Sequence, residues 1–262
     1  MKRVVDVLHE GQTAVEQSIA EGGNTISYLR NLARGNQIER QAFQRMVSAG
    51  QPPVLLIHGF LSTRGSMFRL EQHLRAEGIP VLSFKLGLLN TCDIRRSSYL
   101  VYQKIESILA QTGIDRIDIV GHSMGGLIGL YYIKRLGGDK KVRKLILLGT
   151  PLAGTWTALL GVAALGVHSS GSWQLLPGSS FLKELAAGPL PSTVECHTIA
   201  AERDWLCPSR STKLEGATAV TVPFGHSSLV VSPDVFERIR SILKTPPATA
   251  VEATAKAKVA GR

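Results

Sequence analysis

One short stretch decides the fold, and it reads IDIVGHSMGG from Ile117 to Gly126. Its first four residues are mostly apolar, which is typical of a buried strand, and apolar residues at helical spacing follow the stretch. Between the two lies the pattern Gly-x-Ser-x-Gly, in which Gly121 and Gly125 each stand two positions from Ser123. The stretch therefore predicts a strand, a sharp turn and a helix, with Ser123 at the turn.

The geometry of this turn favours Ser123 as a nucleophile. A serine in so sharp a turn has a strained backbone, and residues two positions to either side come so close that a Cβ atom would clash. Glycine at positions 121 and 125 avoids that clash. The turn also pushes the Ser123 hydroxyl out above the sheet edge, at a helix N-terminus, where negative charge is favoured.

Strand patterns alternate with helical patterns on both sides of this stretch. Short apolar runs, which predict buried strands, occur at Val54–Ile57, Val81–Phe84, Ile117–Val120, Leu145–Leu148, Val194–Ala200 and Ala217–Val222. Apolar residues at helical spacing separate the first four runs. Strands that alternate with helices predict an α/β fold, with a mostly parallel central sheet and helices on both of its faces.

The distribution of apolar, turn-forming and small residues divides the chain into segments. Residues 1–50 are predicted to be a helical N-terminal extension, broken at Gly22-Gly23-Asn24, which either packs on the main domain or touches substrate or membrane. Residues 51–243 form the predicted main domain. Within it, residues 152–191 lack strand patterns and are predicted to be a cap or lid insertion. Residues 244–262, rich in Pro, Ala, Thr and Lys, are predicted to be a disordered tail.

Composition excludes several classes of protein. The chain has 262 residues, 44% of them hydrophobic, so wholesale disorder is excluded. No apolar run approaches the roughly 20 residues that span a bilayer. The net charge of +10 is spread along the chain and no basic block is interleaved with aromatic residues, which argues against a nucleic-acid partner. The basic excess is compatible with peripheral contact with an anionic membrane surface.

The N-terminal residues predict the cellular compartment, and the compartment in turn predicts the redox state of the cysteines. Asp6, His9 and Glu10 interrupt the apolar stretch that a secretory signal would need, so a cytoplasmic location is expected. The three cysteines would then be free thiols. In an oxidising compartment Cys196 and Cys207, which flank a predicted strand end, could pair instead. The pattern does not predict an oligomeric state.

A nucleophilic serine needs a base and an acid, and in strand–turn–helix serine enzymes they follow it in the order acid, then histidine. His226 lies in a loop after the last predicted strand and is the predicted base, whereas His197 lies inside a strand. The predicted acid lies after the strand that ends near Ala200, where Glu202 and Asp204 are the candidates. Asp204 is favoured because it lies deeper in the turn.

Two backbone N–H groups are predicted to form an oxyanion hole. One belongs to Met124, directly after the nucleophile, and the other to Phe60, in the loop after the first strand. Gly59 would let the backbone approach the substrate oxygen. His58 and His122 are interpreted as structural hydrogen-bonding residues and not as a second base.

These motifs together resemble the α/β-hydrolase superfamily. The segments Asp118–Gly126, Leu130–Ile133, Leu148–Pro151 and Leu176–Leu182 are similar to small bacterial triacylglycerol lipases and esterases, over roughly Pro53 to Leu243. Residues 1–50 have no counterpart in that family, and many of its members carry a secretory signal. The resemblance implies hydrolysis of a small-molecule acyl ester without a metal or organic cofactor. A thioesterase or acyltransferase would use the same residues, and a non-catalytic binding protein of the same fold is the alternative from another class.

Overall fold

A six-stranded sheet forms the centre of the molecule in the computed structural model, which describes residues 20–34, 52–83, 85–87, 89–165 and 169–246. The strand order is β2-β1-β3-β4-β5-β6, and every neighbouring pair is parallel. The strands are β1 (Val54–Ile57), β2 (Val81–Ser83), β3 (Ile117–His122), β4 (Val142–Leu148), β5 (Glu195–Ala201) and β6 (Thr218–Val222). The prediction of a parallel sheet is therefore confirmed.

Helices cover both faces of this sheet. They are α1 (residues 20–32), α2 (Phe68–Ala76), α3 (Ile94–Thr112), α4 (Met124–Arg135), α5 (Ala158–Leu165), α6 (Ser170–Gln174), α7 (Ser180–Ala186) and α8 (Pro233–Lys244). Leu55 and Ile57 of β1 belong to one apolar cluster with α3 and α4, whereas Val54 and Leu56 belong to a second cluster with α2 and α8. Successive strand residues thus point to opposite faces, and both faces are buried, as expected for a parallel sheet.

The predicted helix break at Gly22-Gly23-Asn24 is wrong, because α1 runs through it without interruption. Contacts with the main domain explain the difference. The Asn24 amide donates a hydrogen bond of 3.1 Å to Ser228 Oγ, and the Tyr28 hydroxyl lies 3.3 Å from Ser62 Oγ. Such contacts offset the roughly 1 kcal/mol that each helical glycine costs relative to alanine. The rest of the predicted extension, residues 1–19 and 35–50, lies outside the described residues.

In the span 152–191, the described residues form three helices, α5 to α7, and no strand. Residues 247–262, most of the predicted tail, lie outside the described part of the chain. Across the described residues no helix combines the length and the apolar character needed to cross a membrane.

All three cysteines are free thiols, so the proposed pairing of Cys196 with Cys207 is wrong. Cys196 lies near the start of β5, and Cys207 follows the end of that strand. A strand of this length spans roughly 20 Å at about 3.3 Å per residue. That separation far exceeds the roughly 4.4–6.8 Å between Cα atoms that a disulfide requires.

Candidate active site

Ser123 occupies the strained turn between β3 and α4. Its backbone angles are φ 53° and ψ −126°, which non-glycine residues rarely adopt. A Cβ atom on Gly121 would lie 2.5 Å from Gly126 Cα, and one on Gly125 would lie 2.1 Å from the carbonyl oxygen of Ile57. Both substitutions would force backbone apart, so the two glycines permit the turn that exposes Ser123 at the start of α4.

Asp204 and His226 form a buried hydrogen-bonded pair beside this turn. They lie in the loops that follow β5 and β6, and Asp204 Oδ2 is 2.6 Å from His226 Nδ1. The side chain of Asp204 is fully buried. An ionised carboxylate only accepts hydrogen bonds, so Nδ1 carries the proton and Nε2 has a free lone pair. Glu202, the other candidate, is exposed, and the carboxylate bonded to His226 is that of Asp204.

Ser123 and His226 line one cavity of about 420 Å³. Its remaining wall is largely apolar and comes from the loop after β1, from α5, from the residue after α6 and from the loop after β5, and Tyr28 of α1 also lines it. The aliphatic and phenylalanine residues of this wall are Phe60, Leu61, Ala158, Leu160, Leu175 and Leu206. Leu159, which precedes Leu160 on α5, is not among the lining residues. A larger groove of about 940 Å³ is lined by the first residues of β5 and β6 and contains neither Ser123 nor His226.

Two further histidines are buried and neutral. Burial lowers the pKa of His58 to about 4, and burial and the neighbouring His226 lower the pKa of His122 well below its usual value. His122 Nε2 lies 3.3 Å from the carbonyl oxygen of His226 and donates to it. His58 Nδ1 lies 3.2 Å from the carbonyl oxygen of Gly59. Both therefore hold backbone beside the site, in keeping with their predicted structural role.

The loop after β1 approaches Ser123 closely. A Cβ atom on Gly59 would lie 2.9 Å from Ser123 Cβ, so only glycine fits there. The N–H groups of Phe60 and Met124, the two predicted oxyanion donors, have no hydrogen-bond acceptor among the described residues. An oxyanion hole requires such free N–H donors near the nucleophile. Here one donor follows Ser123 in the chain and the other belongs to the loop after β1.

Asn90 fixes the direction of the Phe60 N–H, and sequence reasoning missed it. Its fully buried amide donates to the carbonyl oxygens of His58, at 2.9 Å, and Gly59, at 3.3 Å. In a trans peptide the carbonyl oxygen and the following N–H point in opposite directions. Holding the Gly59 oxygen therefore aims the Phe60 N–H away from Asn90. Asn90 has φ 49°, a conformation that asparagine tolerates better than most residues.

Comparison with known proteins agrees with this architecture. A family model described as the alpha/beta hydrolase fold matches residues 52–171. The chain has the α/β-hydrolase fold. A mature lipase from Bacillus licheniformis superposes with a TM-score of 0.65 at 17% identity, over 74% of this chain and 93% of that one.

Two other solved structures share the α/β-hydrolase fold with this chain. A hydrolase from Pseudomonas aeruginosa gives a TM-score of 0.57 at 18% identity, over 75% of this chain and 91% of that one. The 2-hydroxy-6-oxo-6-phenylhexa-2,4-dienoate hydrolase from Rhodococcus gives 0.57 at 17% identity, over 74% and 90%. The predicted resemblance to α/β-hydrolases is thus confirmed for the fold, and the similar structures are hydrolases that differ in substrate.

Cys207 is a second residue of this α/β-hydrolase site that sequence reasoning missed. Its backbone N–H donates to Asp204 Oδ1 at 2.7 Å, and the residue lines the same cavity as Ser123. Burial and the charge of Asp204 raise the pKa of the thiol, which therefore stays protonated and is a poor nucleophile. The thiol completes the wall beside Ser123 without competing with it.

Within the described residues, Asp204, Cys207 and His226 also form a group that could hold a metal ion, because one ligand atom from each lies within 4.8 Å of the others. Two of these residues, however, already share a hydrogen bond of 2.6 Å, between Asp204 Oδ2 and His226 Nδ1. A cation would have to displace that shared proton. The arrangement is therefore better suited to proton transfer than to metal binding.

Proposed function

We propose that the chain is a serine hydrolase that cleaves carboxylic esters of lipid-like acyl groups. In this proposal Ser123 is the nucleophile, His226 is the general base, and Asp204 is the carboxylate that orients the base. The observation that carries the proposal is the 2.6 Å pair of Asp204 and His226, which shares a cavity with a serine held in a strained turn. The hydrolases with the same fold support the general reaction class.

In the first half of the proposed reaction, Ser123 Oγ attacks the ester carbonyl carbon while His226 Nε2 accepts the serine proton. Asp204 accepts a hydrogen bond from Nδ1 and stabilises the imidazolium that forms. The N–H groups of Phe60 and Met124 stabilise the oxyanion of the tetrahedral intermediate. His226 then returns its proton to the alkoxide oxygen, the carbon–oxygen bond of the ester breaks, and the alcohol leaves an acyl group on Ser123.

In the second half, water takes the place of the alcohol. His226 Nε2 removes a proton from the water as its oxygen attacks the acyl carbon. The second tetrahedral intermediate collapses when the bond between the acyl carbon and Ser123 Oγ breaks and His226 Nε2 returns the proton to Oγ, which releases the carboxylic acid. No step requires a cofactor. A thioester substrate or an alcohol acceptor would pass through the same steps. Assays with an acyl thioester, and with an alcohol added to an ester assay, test these thioesterase and acyltransferase alternatives.

The apolar cavity supports an acyl chain as the part of the substrate that is bound. Its volume of about 420 Å³ lies within the usual range of small-molecule sites. Exposed apolar side chains from Leu61, Trp156, Leu160 and Trp205 lie on segments that line or adjoin the cavity. These side chains support the further proposal that the chain contacts a lipid surface peripherally while it takes up substrate.

Labelling with a fluorophosphonate tests the proposal directly, because the reagent forms a covalent bond only with an activated serine. We expect wild-type protein to be labelled at Ser123 and to hydrolyse p-nitrophenyl esters. Ser123→Ala should abolish labelling and reduce ester turnover by about 10⁴-fold or more, with the circular dichroism spectrum unchanged. Unlabelled wild-type protein, or a Ser123→Ala variant with a tenth of wild-type turnover, would contradict the proposal.

A further inference from the structure

Helix α1 packs against the loop that carries His226, although it is more than 190 residues away in sequence. Glu21 Oε2 accepts a hydrogen bond of 3.0 Å from the N–H of Gly225 and one of 2.6 Å from the hydroxyl of Ser228. Gly225 precedes His226 directly and Ser228 follows it by two positions. One carboxylate oxygen therefore holds the loop on both sides of the proposed base.

The contact between Glu21 and this loop is close. A Cβ atom on Gly225 would lie 2.4 Å from Glu21 Oε1, so the carboxylate packs directly on the glycine backbone. Gly225 and Ser228 are both buried, and Asn24 donates a second hydrogen bond to Ser228 Oγ. Among the described residues no other acceptor is offered to the Gly225 N–H. Without Glu21 this buried donor would lack a partner, and the loop would relax toward one.

Relaxation of this loop would act on the chemistry through His226. The imidazole must keep Nδ1 against Asp204 and Nε2 toward Ser123, and a misplacement of about 1 Å can cost about 10²-fold in rate. On the other side of His226, the carbonyl oxygen accepts a hydrogen bond from His122. Glu21 on α1 and His122 at the end of β3 thus hold the loop from two separate elements.

We infer that Glu21 is a positioning residue, which sets the orientation of His226 through Gly225 and Ser228. The inference rests on the proposed function, because it assigns a role in the same reaction. It also gives helix α1 a task beyond covering the main domain: its first described turn belongs to the machinery that orients the base.

The other end of α1 provides a matched control. There Arg34, two residues after the last residue of α1, places its guanidinium 3.8 Å from the centroid of the Phe68 ring, at the opposite end of the helix from Glu21. Arg34→Ala weakens the docking of α1 without touching the loop around His226. If α1 served only for stability, Arg34→Ala and Glu21→Ala would have the same kind of effect.

The experiment compares full-length wild-type protein with Glu21→Ala, Glu21→Gln and Arg34→Ala. We expect Glu21→Ala to lower kcat for p-nitrophenyl esters about 10- to 100-fold, with KM within about twofold, because the substrate cavity is intact. The rate of fluorophosphonate labelling of Ser123 should fall by a similar factor. Glu21→Gln should recover most of the loss, since its amide oxygen can accept both hydrogen bonds. Arg34→Ala should keep wild-type kcat.

The outcomes separate the two proposals. Wild-type protein that is not labelled at Ser123 would contradict the proposed function itself. Labelled wild-type protein with an equally fast Glu21→Ala variant would overturn the inference, as would an equal loss in Arg34→Ala. If Glu21→Ala fails to fold, Ser228→Ala removes the other end of the 2.6 Å hydrogen bond and should also lower kcat and labelling at constant KM. Unchanged labelling in Ser228→Ala would then overturn the inference.

Discussion

The backbone N–H of Cys207 donates a hydrogen bond of 2.7 Å to Oδ1 of Asp204. This bond decides which carboxylate oxygen is left for the histidine, because Oδ2 is then the one that lies 2.6 Å from His226 Nδ1. Both partners of the carboxylate are donors, and the side chain of Asp204 is fully buried. The carboxylate is therefore held in a single orientation, and this orientation determines the effect of substitution at position 204.

Asp204→Asn should reverse the tautomer of His226. The Cys207 N–H keeps the amide oxygen of asparagine on its own side, so the NH₂ group faces Nδ1, which must then accept. The proton moves to Nε2, which can no longer take the proton of Ser123. We expect kcat to fall about 10³–10⁴-fold in assays with p-nitrophenyl esters. Glu202→Gln, on an exposed neighbour, should change kcat little; the reverse result would assign the acid to Glu202.

Asn90→Gly should lower activity even though glycine relieves the φ of 49° at that position. The variant loses both hydrogen bonds that hold the carbonyl oxygens of His58 and Gly59. The Phe60 N–H is then no longer aimed at the oxyanion, and loss of one such donor typically costs about 10²–10³-fold in kcat. The measurement is kcat and KM for one ester. An unchanged kcat, with or without a change in KM, would contradict the assignment.

Leu160→Ala should change the dependence of activity on acyl length. The side chain lines the cavity, whereas Leu159 does not and serves as the matched control. In wild-type protein kcat/KM should rise about fourfold per methylene, from about 0.8 kcal/mol each, until the cavity is full. Leu160→Ala should lower kcat/KM for long esters on the order of tenfold and spare acetate. Leu159→Ala should retain the wild-type series, and equal effects of both variants would refute a cavity role for Leu160.

Buried neutral histidines should make the fold labile to mild acid. The pKa of His58 in the folded chain is about 4, below its value of roughly 6.5 in an unfolded chain. Between those values only the unfolded chain binds the proton, so stability is present above pH 6.5 and is lost as pH falls toward 4. His122 shifts in the same direction.

Urea denaturation at pH 7, 6 and 5 measures this effect. Below pH 6.5 the free energy of unfolding should fall by about 1.4 kcal/mol per pH unit for each of the two histidines. His58→Asn should make that slope shallower by one proton. A free energy of unfolding that stays constant from pH 7 to pH 5 would show that neither histidine is neutral in the folded chain.

The sequence alone determined the sheet, the sharp turn and the position of Ser123 in that turn. Buried parallel strands need apolar runs, and the sharp turn needs glycine at positions 121 and 125, where a Cβ atom would meet backbone at 2.5 and 2.1 Å. The apolar runs and the Gly-x-Ser-x-Gly spacing each lie within one short segment, so they leave a readable pattern, although the carbonyl oxygen that Gly125 approaches belongs to Ile57. Asp204 and His226 were predicted from their order and from the loops they occupy, since parallel strands bring those loops to one edge of the sheet.

The tertiary structure decided which residues hold the loops of that site in position. Asn90 reaches the Phe60 loop from 31 residues away, and Glu21 reaches Ser228 across 207 residues. A single buried hydrogen bond between distant segments leaves no periodicity and no fixed spacing in the sequence. The same contacts explain why α1 continues through Gly22 and Gly23, where local propensity predicted a break. Local sterics are recorded in the sequence pattern, whereas partners for buried polar groups are assigned only when the chain has folded.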